Sequence, residues 1–193
     1  MAPAASTIKI FVASAFWRAG LDPREPAAVE KTPWSLSDRL AGPLTLGDLA
    51  LLMLAVSDNA ATNALLDRLG FEAVNEEIAR LGLEATVLRR KMIADGPENL
   101  TCASDLARGL AQVAAEEPRI LDALAATQDS LLPYLVPDVP VAVKTGELLD
   151  AYHEVAYVGA APGGLAVAVC SSPPVLPDEV SRAAAALVIP SNR

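Results

Sequence analysis

The sequence predicts an α+β fold, a helical block packed on a small antiparallel sheet, and three observations carry that prediction. Residues 7 to 135 place Ala, Leu and Val at helical spacing between caps and glycines. Residues 139 to 171 switch to short Val-rich runs separated by turn residues, the signature of strands. Apolar residues make up 52% of the chain but aromatics only 4%, which favours helices that pack closely through small side chains.

Each element has a local reason. Thr7 to Arg18 is apolar nearly all round, hence a buried helix, ended by Gly20 and Asp22-Pro23. Ser6 reads as the residue at its mouth. Residues 21 to 44 read as a long surface connection with Trp34 and Leu36 as anchors. Thr45 opens a second helix with Asp48 completing a capping box, and its apolar face runs to Val56. Helices over 60–69 and 72–81 close at Gly70 and Gly82. Thr101 or Ala103 opens another to about Ala115, and 119–135 reads as two short helices broken at Pro133. Strands are expected over 139–145, 154–159 and 165–171, the last two joined at Pro162-Gly163-Gly164. An Ala-rich helix over 178–187 follows Pro173-Pro174.

At 193 residues the chain fits one domain, 1–193. The net charge of −9 argues against a nucleic-acid partner, whose phosphates need a basic surface. No apolar run is long enough to span a membrane. Cys102 and Cys170 fit no zinc spacing and read as two buried free thiols, and a single histidine, His153, excludes a multi-histidine metal site. No basic, apolar leader precedes Ser6, so no export signal is read.

Three motifs occur in order: Ser6-x-x-Lys9, Ser57-Asp58-Asn59 and Lys144-Thr145-Gly146. At average residue usage the first occurs by chance roughly once in a chain this long, each tripeptide in about one chain in thirty. Each also has a structural reading. Ser6 and Ser57 suit helix caps, and Lys144 to Gly146 suit a strand end. But a lysine in the first helical turn opposes the helix dipole, which is poor packing and useful for a base whose amine must be neutral. Gly146 would let a ligand backbone lie close alongside. Taken together, the motifs supply a nucleophile, a lysine base, a second hydroxyl and a second cation, the parts needed to open an amide through an acyl-enzyme. His153 reads as a packed strand residue, and Arg89-Arg90-Lys91 as a solvated face or a set of ion pairs.

The chain resembles the class A β-lactamase and penicillin-binding protein superfamily, for which this motif set is known. Residues 44–70 resemble the family's central helices, and residues 144–159 its active-site strand and the next. The resemblance implies acylation of Ser6 by a small-molecule β-lactam or an acyl-D-alanyl peptide. Lys9 would take the serine proton, and Ser57 would pass one to the leaving nitrogen with help from Lys144. Asn59 would bind the side-chain amide, and Thr145 and Lys144 the carboxylate. Main-chain N–H groups of Ser6 and Glu147 would hold the oxyanion. No metal or cofactor is implied, and family members are secreted, periplasmic or extracellular.

Two departures stand out. The family's Ω-loop glutamate, base for the deacylating water, has no counterpart: Lys91-Met92-Ile93 falls there, and Glu98, at a different spacing, or Asp95 is a candidate substitute. Slow deacylation, as in a D-Ala-D-Ala carboxypeptidase or penicillin-binding amidase, is the alternative, and a non-catalytic penicillin-recognising domain or fragment the third. The family's helix and two strands ahead of the nucleophile are also missing, so the sheet is expected to look N-terminally truncated. The strand at 165–171 would then present an open edge through which the chain self-associates.

Overall fold

The computed structural model describes residues 1–171 and 175–189. It opens with β1 (Ala2–Pro3), a 3-10 turn (Ala5–Ile8) and α1 (Lys9–Arg18). Short β2 (Pro26–Ala27) and β3 (Leu44–Thr45) lead into α2 (Leu46–Ala55), α3 (Asn59–Leu69) and α4 (Phe71–Arg80). Then come β4 (Leu100–Thr101), α5 (Ala103–Glu116), α6 (Arg119–Ala125) and α7 (Leu132–Leu135). The chain continues with β5 (Val141–Leu148), β6 (Ala151–Val158), β7 (Leu165–Ser171) and α8 (Pro177–Val188). The fold is the α+β arrangement expected, with a three-stranded antiparallel sheet ordered β5-β6-β7 and two two-residue ladders, β1 with β4 and β2 with β3.

Period-2 alternation divides the sheet between two cores. Ala142, Val155 and Tyr157 face a large core built on α1, where Phe11 and Phe16 are fully buried. Val143, Ala156, Val158 and Val167 face a smaller core with Leu132, Ala184 and Ala185 of α7 and α8. Closure of the large core depends on a small residue in α5: a Cβ on Gly109 would come within 2.5 Å of Phe11 Cε1. A buried carboxylate ties the bundle together. Glu77 accepts from Ser14 Oγ at 2.6 Å and from Arg80 Nε at 2.7 Å, and Arg80 reaches Glu116 of α5.

Several expectations change. The first α-helix starts at Lys9, not Thr7, because a 3-10 turn precedes it, so Ser6 is no helix cap. The Thr45–Asp48 capping box forms as expected. Trp34 and Leu36 are not anchors; they are 80% and 51% exposed. Residues 21–44 are held instead by hydroxyls, since Ser35 Oγ accepts from Ala60 N and Ser37 Oγ donates to Asp58. The break within 119–135 falls at 126–131, and Pro133 sits in the first turn of α7, where its missing N–H costs nothing. Strands β5 and β6 run farther toward each other, to Leu148 and from Ala151, which makes their connection a tight hairpin. The cysteines are both free but half-buried rather than buried, and burial pushes the Cys170 thiol up to about 11. Pro173-Pro174 lies outside the described residues. Among the described residues β7 pairs only with β6, so its outer edge is the one the self-association expectation concerns.

Candidate active site

The nucleophile turn is built before the helix begins. Ala5 takes a left-handed φ of 47°, and Ala4 O accepts from both Thr7 N and Thr7 Oγ1. Ala4 N donates to Asn99 O at 2.6 Å, which fixes the turn against the loop ahead of β4. Ser6 thus stands one turn before Lys9 on a continuous helical path, and residues three apart share a face. Ser6 Oγ faces a cavity and makes no hydrogen bond among the described residues.

Strand β5, one edge of the sheet, runs beside this turn. A Cβ on Gly146 would lie 3.0 Å from Thr7 Cγ2, 3.1 Å from Ala5 Cβ and 3.2 Å from Ser6 N. The glycine of the third motif is there for the nucleophile's own backbone rather than for a ligand's. Lys144 shares the face of Gly146 and points inward, 1% exposed, donating to Thr145 O at 3.0 Å. Burial lowers its amine to about 8, against the pull of Asp129.

Lys9 is fully buried, and its Nζ lies 2.6 Å from Ser57 O, 2.8 Å from Asn59 Oδ1 and 3.1 Å from Ser57 Oγ. Burial first, and the charge of Lys144 second, hold the amine well below the ordinary lysine range, with Asp58 opposing. The amine donates to all three of these oxygens, which gathers the second motif around one buried nitrogen, and burial favours the neutral form that a base needs.

Asp58 organises the second motif. Its carboxylate accepts from Leu36 N at 2.6 Å, Ser37 N at 2.9 Å, Ser37 Oγ at 2.7 Å and Ala61 N at 2.8 Å, capping α3 while pinning the 35–37 segment. Burial alone would raise its carboxyl, but these hydrogen bonds win and hold it below the usual range. Ser57, at φ 57°, turns its side chain into the cavity beside Asn59, whose Nδ2 is unpaired among the described residues.

The cavity between these pieces is about 550 Å³, and a second of about 340 Å³ continues it past Thr145. Ser6, Ser57 and Glu147 line both, and Asn59 and Thr145 one each. The three motifs, far apart in sequence, therefore meet. Non-glycine residues with left-handed φ among the described residues are Ala5, Trp34, Ser57 and Ile93, and all four line the larger cavity. Such strain, on the order of 1–3 kcal/mol per residue, gathers where a site requires a fixed backbone.

Glu98 lines the cavity but is engaged: Arg90 Nη2 donates to its Oε1 at 2.6 Å. The neck of this loop is fastened by Asn99, whose Oδ1 accepts from Arg89 N and Arg90 N. Lys91 pairs with Asp67 and Arg90 with Glu98, while Arg89 is exposed and in no ion pair among the described residues. His153 is a packed residue. Its Nε2 meets Pro3 O at 2.8 Å, so the proton sits on Nε2 and Nδ1 accepts from Ser171 N. Among the described residues no group of three or more His, Cys, Asp or Glu is placed to hold a metal ion, and no helix is long and apolar enough to cross a membrane.

Reading the motifs missed Trp34, Ile93, Asp129 and Tyr152 as lining residues. No local pattern marks them; only the Gly-poor, left-handed turns at Trp34 and Ile93 hint at a constraint.

A family model described as the β-lactamase enzyme family matches residues 1–189. No curated protein matches the chain in sequence. Among solved structures, a β-lactamase from Sphaerobacter thermophilus is 28% identical with a TM-score of 0.82, covering 98% of this chain and 85% of that one. A protein named PBP-A is 26% identical with a TM-score of 0.80, covering 96% and 78%. A class A β-lactamase from Mycobacterium abscessus, 22% identical with a TM-score of 0.75 over 95% and 81%, shares the fold.

Proposed function

Because the chain belongs to the β-lactamase enzyme family, we propose that Ser6 opens β-lactam amides, forming an acyl-enzyme that water releases slowly. The observation that carries this reading is the buried Lys9 amine beside Ser57, with the Ser6 and Thr145 side chains facing connected cavities. Ser6 Oγ attacks the amide carbonyl as its proton passes to Lys9. The new C–O bond forms, the C–N bond breaks, and a proton reaches the nitrogen from Lys9 through Ser57, 3.1 Å away. Asn59 Nδ2 receives the acyl side-chain amide, Thr145 and Lys144 receive the carboxylate, and the N–H groups of Ser6 and Glu147 face the oxyanion. An acyl-D-alanyl peptide would follow the same steps.

A specific observation favours slow release. Glu98, the candidate replacement for the missing loop acid, has its Oε1 occupied by Arg90 Nη2 at 2.6 Å, so that oxygen is not free to hold a deacylating water. A chromogenic cephalosporin is therefore expected to give one equivalent of product in a burst, then slow turnover, with a single adduct on Ser6 by intact mass. Fast continuous turnover would assign release to another base. Lack of any adduct would remove the acyl-enzyme reading and leave a non-catalytic domain.

The pH profile follows from the two lysines. Lys9 must be neutral to act as a base, a form that its burial and the nearby Lys144 charge favour, while Lys144 must be charged to hold the carboxylate. Lys144 is charged below about 8 and loses that charge above it, so the second-order acylation rate should fall on the alkaline side of about pH 8. A rate still rising at pH 9 would remove Lys144 from carboxylate binding.

A further inference from the structure

The smaller cavity carries charge that the acylation chemistry leaves unused. Thr145 and Glu147 lie on the β5 face opposite to Lys144, toward α7 and α8. Tyr152 is the cross-strand partner of Glu147, and its hydroxyl donates to Asp129 O at 3.1 Å. Asp129 and Glu147 therefore flank one phenol, and both line the cavity that Ser6 and Thr145 also line. Both are exposed, and neither carboxylate makes a hydrogen bond or ion pair among the described residues. Glu98 on the opposite wall is neutralised by Arg90, whereas no arginine lines this end.

A pair of acids alone would be an ordinary solvated rim. Thr145 adds an independent feature: it is only 7% exposed, lines the same cavity, and its hydroxyl has no partner among the described residues. A hydroxyl that opens into the cavity without a partner is a free position for a ligand's polar atom. The cavity thus offers a hydroxyl, with the Lys144 cation behind it, for a carboxylate, and two unpaired carboxylates for a cation. The raised Tyr152 phenol, due first to burial and then to Glu154, Glu147 and Asp129, is in keeping with a negative field at this end.

We propose that the leaving-group side of the site selects a zwitterion: a departing amine whose carboxylate sits on Thr145 and whose second, cationic nitrogen sits between Asp129 and Glu147. The inference rests on the acyl-Ser6 reading and deepens it. The substrate class is an acyl amide of a diamino acid, or a β-lactam with a cationic substituent on the nitrogen side. Asp129 and Glu147 act as specificity residues by lowering the energy of the bound cation, and the net charge of −9 adds to its attraction.

Two cephalosporins with one acylamino side chain test this, one carrying a cationic pyridiniummethyl group at C3 and the other a neutral acetoxymethyl group. The second-order rate of Ser6 acylation is read by intact mass, which serves whether or not the adduct is later released. At low salt the cationic compound is expected to react about tenfold faster, and this preference should shrink once salt screens charges beyond about 8 Å. Read well below the Lys144 value of about 8, so that Lys144 stays charged without Asp129, Asp129→Asn is expected to cut the preference severalfold while leaving the neutral compound's rate near that of the parent. Glu147→Gln should reduce the preference independently, and a thermal melt of each variant reports its folding. Equal rates for the two compounds, or a preference that survives both substitutions, would overturn the proposal. Failure of both compounds to acylate Ser6 would instead remove the acyl-enzyme reading, and this inference with it.

Discussion

Replacement of Lys9 by alanine is expected to slow acylation of Ser6 by about three orders of magnitude, within the range that a positioned general base contributes. The reason is geometric. Lys9 is fully buried, its amine donates to Ser57 O, Asn59 Oδ1 and Ser57 Oγ, and burial with the nearby Lys144 charge favours the neutral form that can take a proton. Alanine removes the acceptor and also strips a donor from each carbonyl oxygen, so some stability should go with the activity. Stopped-flow acylation by a β-lactam separates the two, since a folded variant with an intact cavity would still bind but react slowly. An undiminished rate in a folded Lys9→Ala variant would take lysine out of the base role.

The second large effect is structural. Asp58→Ala is expected to destabilise the fold by about 3–5 kcal/mol, because several buried donors lose their acceptor at about 1–3 kcal/mol each. Four donors lose their acceptor at once: Leu36 N, Ser37 N, Ser37 Oγ and Ala61 N. For a chain of this size the melting midpoint should drop on the order of 10 °C. The sign of the pH dependence is fixed by the lowered carboxyl. Its stabilisation is fully present above the ordinary aspartate range and is lost as pH falls through the lowered value. The parent should therefore lose stability toward acid more steeply than Asp58→Ala, and parallel acid limbs would show that the carboxylate contributes little. Because Asp58 also sets the turn at Ser57, the variant should lose acylation even where it stays folded.

Much of this molecule is legible in its sequence where the cause is local. The capping box at Thr45 and Asp48 needs only residues three apart, and the glycines after α3 and before β7 stop elements by their own backbone freedom. The change of period near residue 139 separates bundle from sheet. Local reasoning fails where a residue's fate depends on a distant partner. Trp34 has the composition of an anchor yet stands 80% exposed, because the segment is held by Asp58, more than twenty positions away. Ser6 has the pattern of a cap, but β5 and Asn99 hold it in a 3-10 turn.

The chemistry divides along the same line. Residue types alone name a hydroxyl, two amines and an amide, since functional groups are properties of side chains. Protonation and pairing are properties of surroundings. The Lys9 amine is held below the ordinary lysine range because burial excludes water from it and Lys144 lies near, and Glu98 is engaged because the loop returns Arg90 to it. Those outcomes scale with distance and solvent access, and both are set by contacts between stretches of chain that are remote until the protein folds.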